Sequence, residues 1–374
     1  MPEPDERADR VAAVVAAATG LGHPLVGPVA LPPGDPDTLL LRCHDRAADR
    51  SVIVKAFPPT LAGASAFAAE AAGLEFASGS GLSPGFLAAD TAAQVVVMAD
   101  LGPGASLADV LLGGPADAAR LAFVDWAAAC GRLAAATAAR RAEYGRLWQK
   151  YLGSRRDQRP AAGLTDRVLA APAQAARLGV RLPDGLDAEV AAVAEAAGSD
   201  DLAVFSPGDI CPDNAVLTAA GIRLIDFEDA GFHSAFLDAA YLRMPFSTCW
   251  CVFRLPAELA AAAEQAYRDQ ASLAVPALAD DAVWYDGVRR AATAWTLSSM
   301  SWLLRRCLRG DASMNPEAAA APRTRQLMRY RWQWLAAELD AAGDLPVIAG
   351  LLRSLLAATD DWQAPDLPLY PALR

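Results

Sequence analysis

Lysine and histidine are the scarcest chemically versatile side chains in this 374-residue chain, with two lysines (Lys55 and Lys150) and three histidines (His23, His44 and His233). Arginine supplies charge wherever charge alone is needed, at 31 of the 33 basic positions. So few histidines weigh against a His-rich metal centre and leave little material for a Ser/His/Asp triad. Cysteine is sparse as well. The six, at positions 43, 130, 211, 249, 251 and 307, form no CxxC pair and no disulfide-scaffold spacing, so free thiols in a reducing cytoplasm are expected. Basic charge is in deficit, with 33 Lys+Arg against 44 Asp+Glu and a formal net charge of −11. A phosphate backbone attracts a basic surface, so general nucleic-acid binding is not expected. Long apolar runs are missing too. The alanine-rich stretches are broken by charge, Gly or Pro, which argues against a membrane span, and the acidic Met1–Arg7 opening lacks the basic character of a secretory leader. A cytoplasmic protein is expected. The acidity favours cationic small molecules as partners and serves solubility equally well.

Hydrophobic residues make up 54% of the chain, enough for a sizeable core, and the length suits two or three domains or one large bilobal unit. Residues 5–19 read as an amphipathic helix ended by Gly20, followed by a Pro/Gly-rich stretch from Gly22 to Pro36. Thr38–Cys43 and Ser51–Phe57 read as a hairpin around the polar turn His44–Arg50. A helix is predicted over 61–78, and two more strands at Phe86–Asp90 and Gln94–Met98. After Met98 the character changes. A breaker cluster at Asp100–Gly104 leads into a region that is helical from 106 onward, interrupted by strands at Ala203–Phe205, Ala215–Leu217 and Ile222–Ile225. The expected architecture is α+β and bilobal: a β-rich lobe over 1–98, a crossing at 99–105 and a helical lobe over 106–374. A crevice between two such lobes is a natural ligand site.

Two features carry chemistry. Lys55 lies inside the apolar strand Val52–Phe57. An ammonium there is costly to desolvate without a partner, and Glu70, in the next helix, can pair with it. Its compact charge suits a phosphate; an edge-strand lysine reaching solvent is the other reading. The second feature is the Asp-rich stretch 205–228, where Asp209 follows Gly208, Asn214 comes five residues later, and Asp226 ends the apolar strand Ile222–Ile225. A hairpin of that length brings Asp226 back beside Asn214. Carboxylate and amide oxygens side by side suit Mg²⁺, and Asp209 stands where it can take a hydroxyl proton. Each Asp taken singly is equally a turn residue, but with Lys55 the set is a parts list for phosphoryl transfer.

At this point the chain resembles the aminoglycoside phosphotransferase and choline kinase branch of the protein-kinase-like fold. The family's catalytic loop, His-Gly-Asp-x-x-x-x-Asn, is matched by Pro207–Asn214, and its metal motif by Ile225-Asp226-Phe227-Glu228. Val54-Lys55 is similar to the family's strand lysine, Glu70 to its helix partner, and Met98–Gly102 to the crossing between lobes. The resemblance implies an ATP- and Mg²⁺-dependent transfer to a small-molecule hydroxyl acceptor. In that scheme Lys55, oriented by Glu70, meets the α- and β-phosphates, and Asp209 is the catalytic base or hydroxyl positioner. Asn214 and Asp226 hold Mg²⁺, and the backbone at Met98, Ala99 and Leu101 meets adenine.

The chain departs from the pattern at three places. Pro207 replaces the loop histidine, the candidate phosphate-covering loop Ala30–Asp37 has no glycine pattern, and Ala99 stands where many relatives carry an acid. These departures keep open a nucleotide-binding relative without turnover, and a structural protein with ordinary Asp turns stays open beside it. Cys249-Trp250-Cys251 reads as core packing, His233 and Asp238 as structural, and Asp213 and Glu228 as charges facing a cationic acceptor. The acceptor's identity, in a range from aminoglycosides to choline-like amino alcohols, and the oligomeric state are not encoded in any motif.

Overall fold

Along Val95–Ala99 successive side chains alternate faces, and both faces are covered. Val95 and Val97 join a small cluster with Leu39, Leu41, Val52, Val54 and Ala56, while Val96 and Met98 join the main core. A strand buried on both sides is a continuous apolar run, as the sequence shows here. The structure is a computed structural model that describes residues 11–16, 18–32, 37–155, 163–244, 246, 249–315 and 321–374.

The N-terminal region is one antiparallel sheet of five strands, β1 (Leu25–Leu31), β2 (Leu39–Asp45), β3 (Arg50–Ala56), β4 (Phe86–Asp90) and β5 (Val95–Ala99), in the order β1-β2-β3-β5-β4. Helix α1 covers 11–16 and α2 runs Leu61–Ala77. The predicted helix over 5–19 therefore falls partly outside the described residues, as do positions 33–36 of the candidate phosphate loop.

The Pro/Gly-rich stretch contains a strand the composition hid. In β1, Pro28 is tolerated because β1 is an edge strand, and Gly27, at φ 61°, sits in the register shift between Val26 and Val29. Pro58-Pro59 closes β3, and the Thr60 hydroxyl caps α2 by accepting from Gly63 N at 3.0 Å. Helix α2 buries Phe67, Leu74 and Phe76, each worth about 1.5–3 kcal/mol on removal from water.

The remainder is mainly helical. It comprises α3 (Leu107–Gly113), α4 (Ala116–Thr137), α5 (Arg141–Leu152), α6 (Gly163–Leu169), α7 (Ala171–Ala176), α8 (Leu186–Gly198), α9 (Ala235–Arg243), α10 (Ala257–Ala271), α11 (Asp281–Ser299), α12 (Arg305–Arg309), α13 (Thr324–Ala342) and α14 (Pro346–Ala358). Between α8 and α9 lie two ribbons, β6 (Ala203–Ser206) with β9 (Gly231–Ser234), and β7 (Ala215–Thr218) with β8 (Gly221–Leu224). Gly231 opens β9, where pairing with β6 supplies the ladder that so short a segment cannot sustain alone.

The two lysines tie this architecture together through one helix. Lys55 reaches Glu70 of α2, and Lys150 of α5 reaches Glu75 of α2 at 2.8 Å. The Phe67 ring meets Tyr151 of α5 edge-on at 6.0 Å, so α2 is held between the sheet and the helical region. Among the described residues no helix is long and apolar enough to cross a membrane.

Candidate active site

Lys55 is the penultimate residue of central strand β3, opposite Leu40 of β2 and Val96 of β5, and is only 8% exposed. That burial removes the edge-strand reading. Its Nζ is 3.2 Å from Glu70 Oε2, 2.5 Å from Asp226 Oδ1 and 3.1 Å from Glu228 Oε2. Burial works against the ammonium, but the three carboxylates outweigh it and raise the Lys55 pKa above its ordinary value. Glu70, 1% exposed, is pushed the other way for an acid. Burial, with Asp226 and Glu228 adding to it against the pull of Lys55, raises it from 4.5 to about 7. Glu228 is a contact the sequence reading missed, because it was read as facing an acceptor.

The candidate active-site loop leaves β6 at Ser206. Gly208 has φ 90°, and a Cβ there would lie 2.2 Å from Asp229 O, so only glycine fits. Asp209 Oδ1 accepts from Cys211 N at 3.3 Å, and Asn214 Nδ2 donates to Asp209 O at 3.1 Å, which closes the loop on itself. Asn214 ends the 3₁₀ turn Pro212–Asn214 just before β7, and Asp226 follows β8. Ala215 pairs with Leu224, and Ile225 N donates to Asn214 O at 2.9 Å. The hairpin thus places Asn214 beside Ile225, the residue that precedes Asp226. Asp226 itself adopts φ 65°, a left-handed conformation rare outside glycine. Beneath the loop, Asp238 accepts from Ser206 Oγ at 3.2 Å and meets His233 Nε2 at 3.0 Å, so both act within the scaffold.

At the crossing, Met98 is buried on the α2 side of the sheet and Ala99 N donates to Gly85 O at 2.8 Å. Asp100, read from sequence as part of a breaker cluster and of the crossing but with no partners of its own, organises this turn. It accepts from Ser51 Oγ at 2.6 Å, Arg42 Nε at 2.7 Å and Gly102 N at 3.0 Å. Burial alone would lift its pKa, but these bonds hold it below the usual carboxylate range. Asp213, read as facing an acceptor, accepts instead from Trp250 Nε1 at 2.7 Å.

Asn214 and Asp226 offer oxygen donors, and Asp226 is 34% exposed at its side chain, so the pair fits a hard, partly hydrated dication such as Mg²⁺. The fold has counterparts among solved structures. A choline kinase from Cryptosporidium parvum Iowa II superposes with a TM-score of 0.51 at 14% identity, over 87% of this chain and 93% of that one. The chain has a kinase-like fold. A provisionally assigned aminoglycoside phosphotransferase from Ralstonia eutropha JMP134 superposes with a TM-score of 0.50 at 11% identity, over 95% of this chain and 98% of that one. No family model matches the sequence, and no curated protein matches it either. The kinase-like fold expected from the Lys55, Asp209 and Asp226 motifs is thus present at sequence identities too low to carry more than the fold.

Proposed function

We propose that this chain is an ATP-dependent small-molecule phosphotransferase. The observation that carries the reading is the 2.5 Å approach of Lys55 Nζ to Asp226 Oδ1, which joins a cation from the sheet to a carboxylate of the hairpin. Lys55 is the phosphate-binding cation, held by Glu70 at 3.2 Å. Asn214 and Asp226 would hold Mg²⁺, which would supply neutralising charge to the nucleotide phosphates. Asp209 accepts the proton of the acceptor hydroxyl as the new O–P bond forms and ADP departs. Adenine meets the backbone of Met98–Leu101; with the Ala99 N–H spent on Gly85, its carbonyl and the Leu101 backbone are the groups offered. The acidic surface favours a cationic acceptor, an aminoglycoside-like molecule or an amino alcohol.

A thermal-shift titration with Mg·ATP, followed by labelled phosphoryl transfer to a panel of aminoglycosides and amino alcohols, tests the proposal. At 100 times Kd the nucleotide adds about 2.7 kcal/mol of stability. No shift at any Mg·ATP concentration rejects nucleotide binding. A shift without transfer across the panel favours the nucleotide-binding relative without turnover that Pro207 and the unusual phosphate loop suggest.

A further inference from the structure

Three of the six cysteines, Cys211 from one segment and Cys249 and Cys251 from another, meet at the active-site loop. Cys211 lies within that loop, and Cys249 and Cys251 follow α9; all three are buried. The Cys211 and Cys249 sulfurs and a carboxylate oxygen of Asp213 lie within 4.8 Å of one another. Cys249 Sγ is 3.9 Å from Asp213 Oδ1 and 2.6 Å from Cys251 Sγ. We propose that Cys211, Asp213, Cys249 and Cys251 form a thiolate-rich site for a zinc ion, separate from the oxygen site at Asn214 and Asp226.

Tetrahedral zinc, with its usual bonds to sulfur and oxygen, holds its ligand atoms about 3.6–3.8 Å apart. Cys211, Asp213 and Cys249, whose ligand atoms lie within 4.8 Å of one another, reach that spacing by closing about 1 Å, while Cys251, now 2.6 Å from Cys249, has to part from it to become the fourth ligand. The outer partners that zinc ligands need are already in place. Tyr241 Oη is 2.8 Å from Cys211 Sγ, Cys251 N donates to Cys249 Sγ at 3.3 Å, and Trp250 Nε1 holds the other oxygen of Asp213 at 2.7 Å. Three thiolates and a carboxylate around a dication leave excess negative charge, and the buried Arg331 guanidinium lies within electrostatic reach of Cys249 to offset it. Thiolate donors select zinc over magnesium, so the two sites do not compete for the same ion. Trp250, 40% exposed, and the partly exposed Asp213 form the side open to entry. On binding, the thiol protons pass to water. The consequence for the loop is direct: with Cys211 and Asp213 fixed, the segment from Asp209 to Asn214 is braced from below.

The test uses the full-length chain, kept reduced, stripped with EDTA and held in excess Mg²⁺. Zn²⁺ is titrated against a chromophoric chelator, and Co²⁺ is followed by absorbance. One tight equivalent with thiolate-to-cobalt charge-transfer absorption is expected, retained in Asp226→Asn and Cys43→Ser. The Cys249→Ser/Cys251→Ser variant binds at least about 100-fold more weakly. If that variant fails to fold, Asp213→Asn, which keeps the side-chain shape, is expected to bind about 10–100-fold more weakly. Absence of a tight equivalent in the unaltered chain overturns the proposal, as does charge-transfer absorption undiminished in the thiol variant. Because the readout is metal binding in the absence of nucleotide, it stands or falls apart from phosphotransfer.

Discussion

Lys55 Nζ and Asp226 Oδ1 stand 2.5 Å apart although 171 positions separate them in the chain. That contact joins the strand region to the hairpin region through a single ammonium, which also serves Glu70 and Glu228. Removing it leaves three carboxylates facing one another in a largely buried place. Breaking such a pair from one side costs about 3–5 kcal/mol. Lys55→Ala is therefore expected to lower Tm markedly and to lose Mg·ATP binding. Lys55→Arg is expected to fold but to bind nucleotide at least about tenfold more weakly, because the planar fork does not occupy the ammonium's place. Full nucleotide affinity in Lys55→Arg, measured by calorimetry, rules out the phosphate-binding role.

Asp209 is held by its own loop, through Cys211 N and Asn214 Nδ2, whereas the Lys55 ammonium is held by Glu70, Asp226 and Glu228. Removal of Asp209 therefore separates chemistry from nucleotide binding. Asp209→Ala is expected to cut turnover about 10²–10⁴-fold with ATP affinity nearly unchanged. Wild-type turnover in this variant removes Asp209 from the chemical step.

Asp226 lies on the other side of that division. Asp226→Ala is expected to abolish the Mg²⁺-dependent part of nucleotide binding. Calorimetric titration with and without Mg²⁺ reads it directly, and an unchanged Mg·ATP isotherm contradicts the assignment of Asp226 as a metal ligand.

How much of this was legible in the sequence follows from the range of each interaction. Asn214 and Asp226 flank the short β7–β8 ribbon, whose pairing sets Asn214 beside Ile225, so their nearness along the chain was legible. Lys55 and Glu70 were legible because a lysine in an apolar strand demands a nearby acid. Glu228 on Lys55, and Asp100 among Ser51, Arg42 and Gly102, were not legible, since each joins segments that only the fold brings together. The same holds for β1, where Gly27 and Pro28 suppress the local strand signal and pairing with β2 overrides it. Cys211 with Cys249 is a further case: the sequence shows only a CxC, and folding supplies the third sulfur.

Glu70 makes stability depend on pH in a stated direction. Its pKa is raised to about 7 in the folded chain from an ordinary 4.5, so between those values the folded state holds a proton that the unfolded chain has released. Stability falls as pH rises wherever the folded state binds more protons. Glu70's contribution is therefore fully present below pH 4.5 and is lost as pH rises through about 7. Glu70→Gln, neutral throughout, lacks this loss. The Tm of the unaltered chain minus that of Glu70→Gln is expected to decline across the window and level off above it. A difference that is flat or rises with pH excludes a buried, protonated Glu70.

Gly73 lies one turn after Glu70 on α2, where the helix meets the segment that carries Asp226. A Cβ at Gly73 would stand 2.9 Å from Phe227 Cβ and 3.0 Å from Ala230 Cβ, and neither neighbour has a flexible end that can yield. Glycine is needed there for close approach and not for an unusual backbone angle. Gly73→Ala is expected to cost about 1–3 kcal/mol through overpacking. It is also expected to weaken Mg·ATP binding about tenfold, because α2 carries Glu70 away from Lys55 and Asp226 as it shifts. Gly145, exposed on α5 where an added Cβ would meet nothing within 4 Å, is the matched control. Gly145→Ala is expected to gain about 0.5–1 kcal/mol from helix propensity and leave nucleotide binding alone. Equal effects of the two substitutions on denaturation midpoint and ATP affinity would mean that the contact between α2 and Phe227 does not position the site.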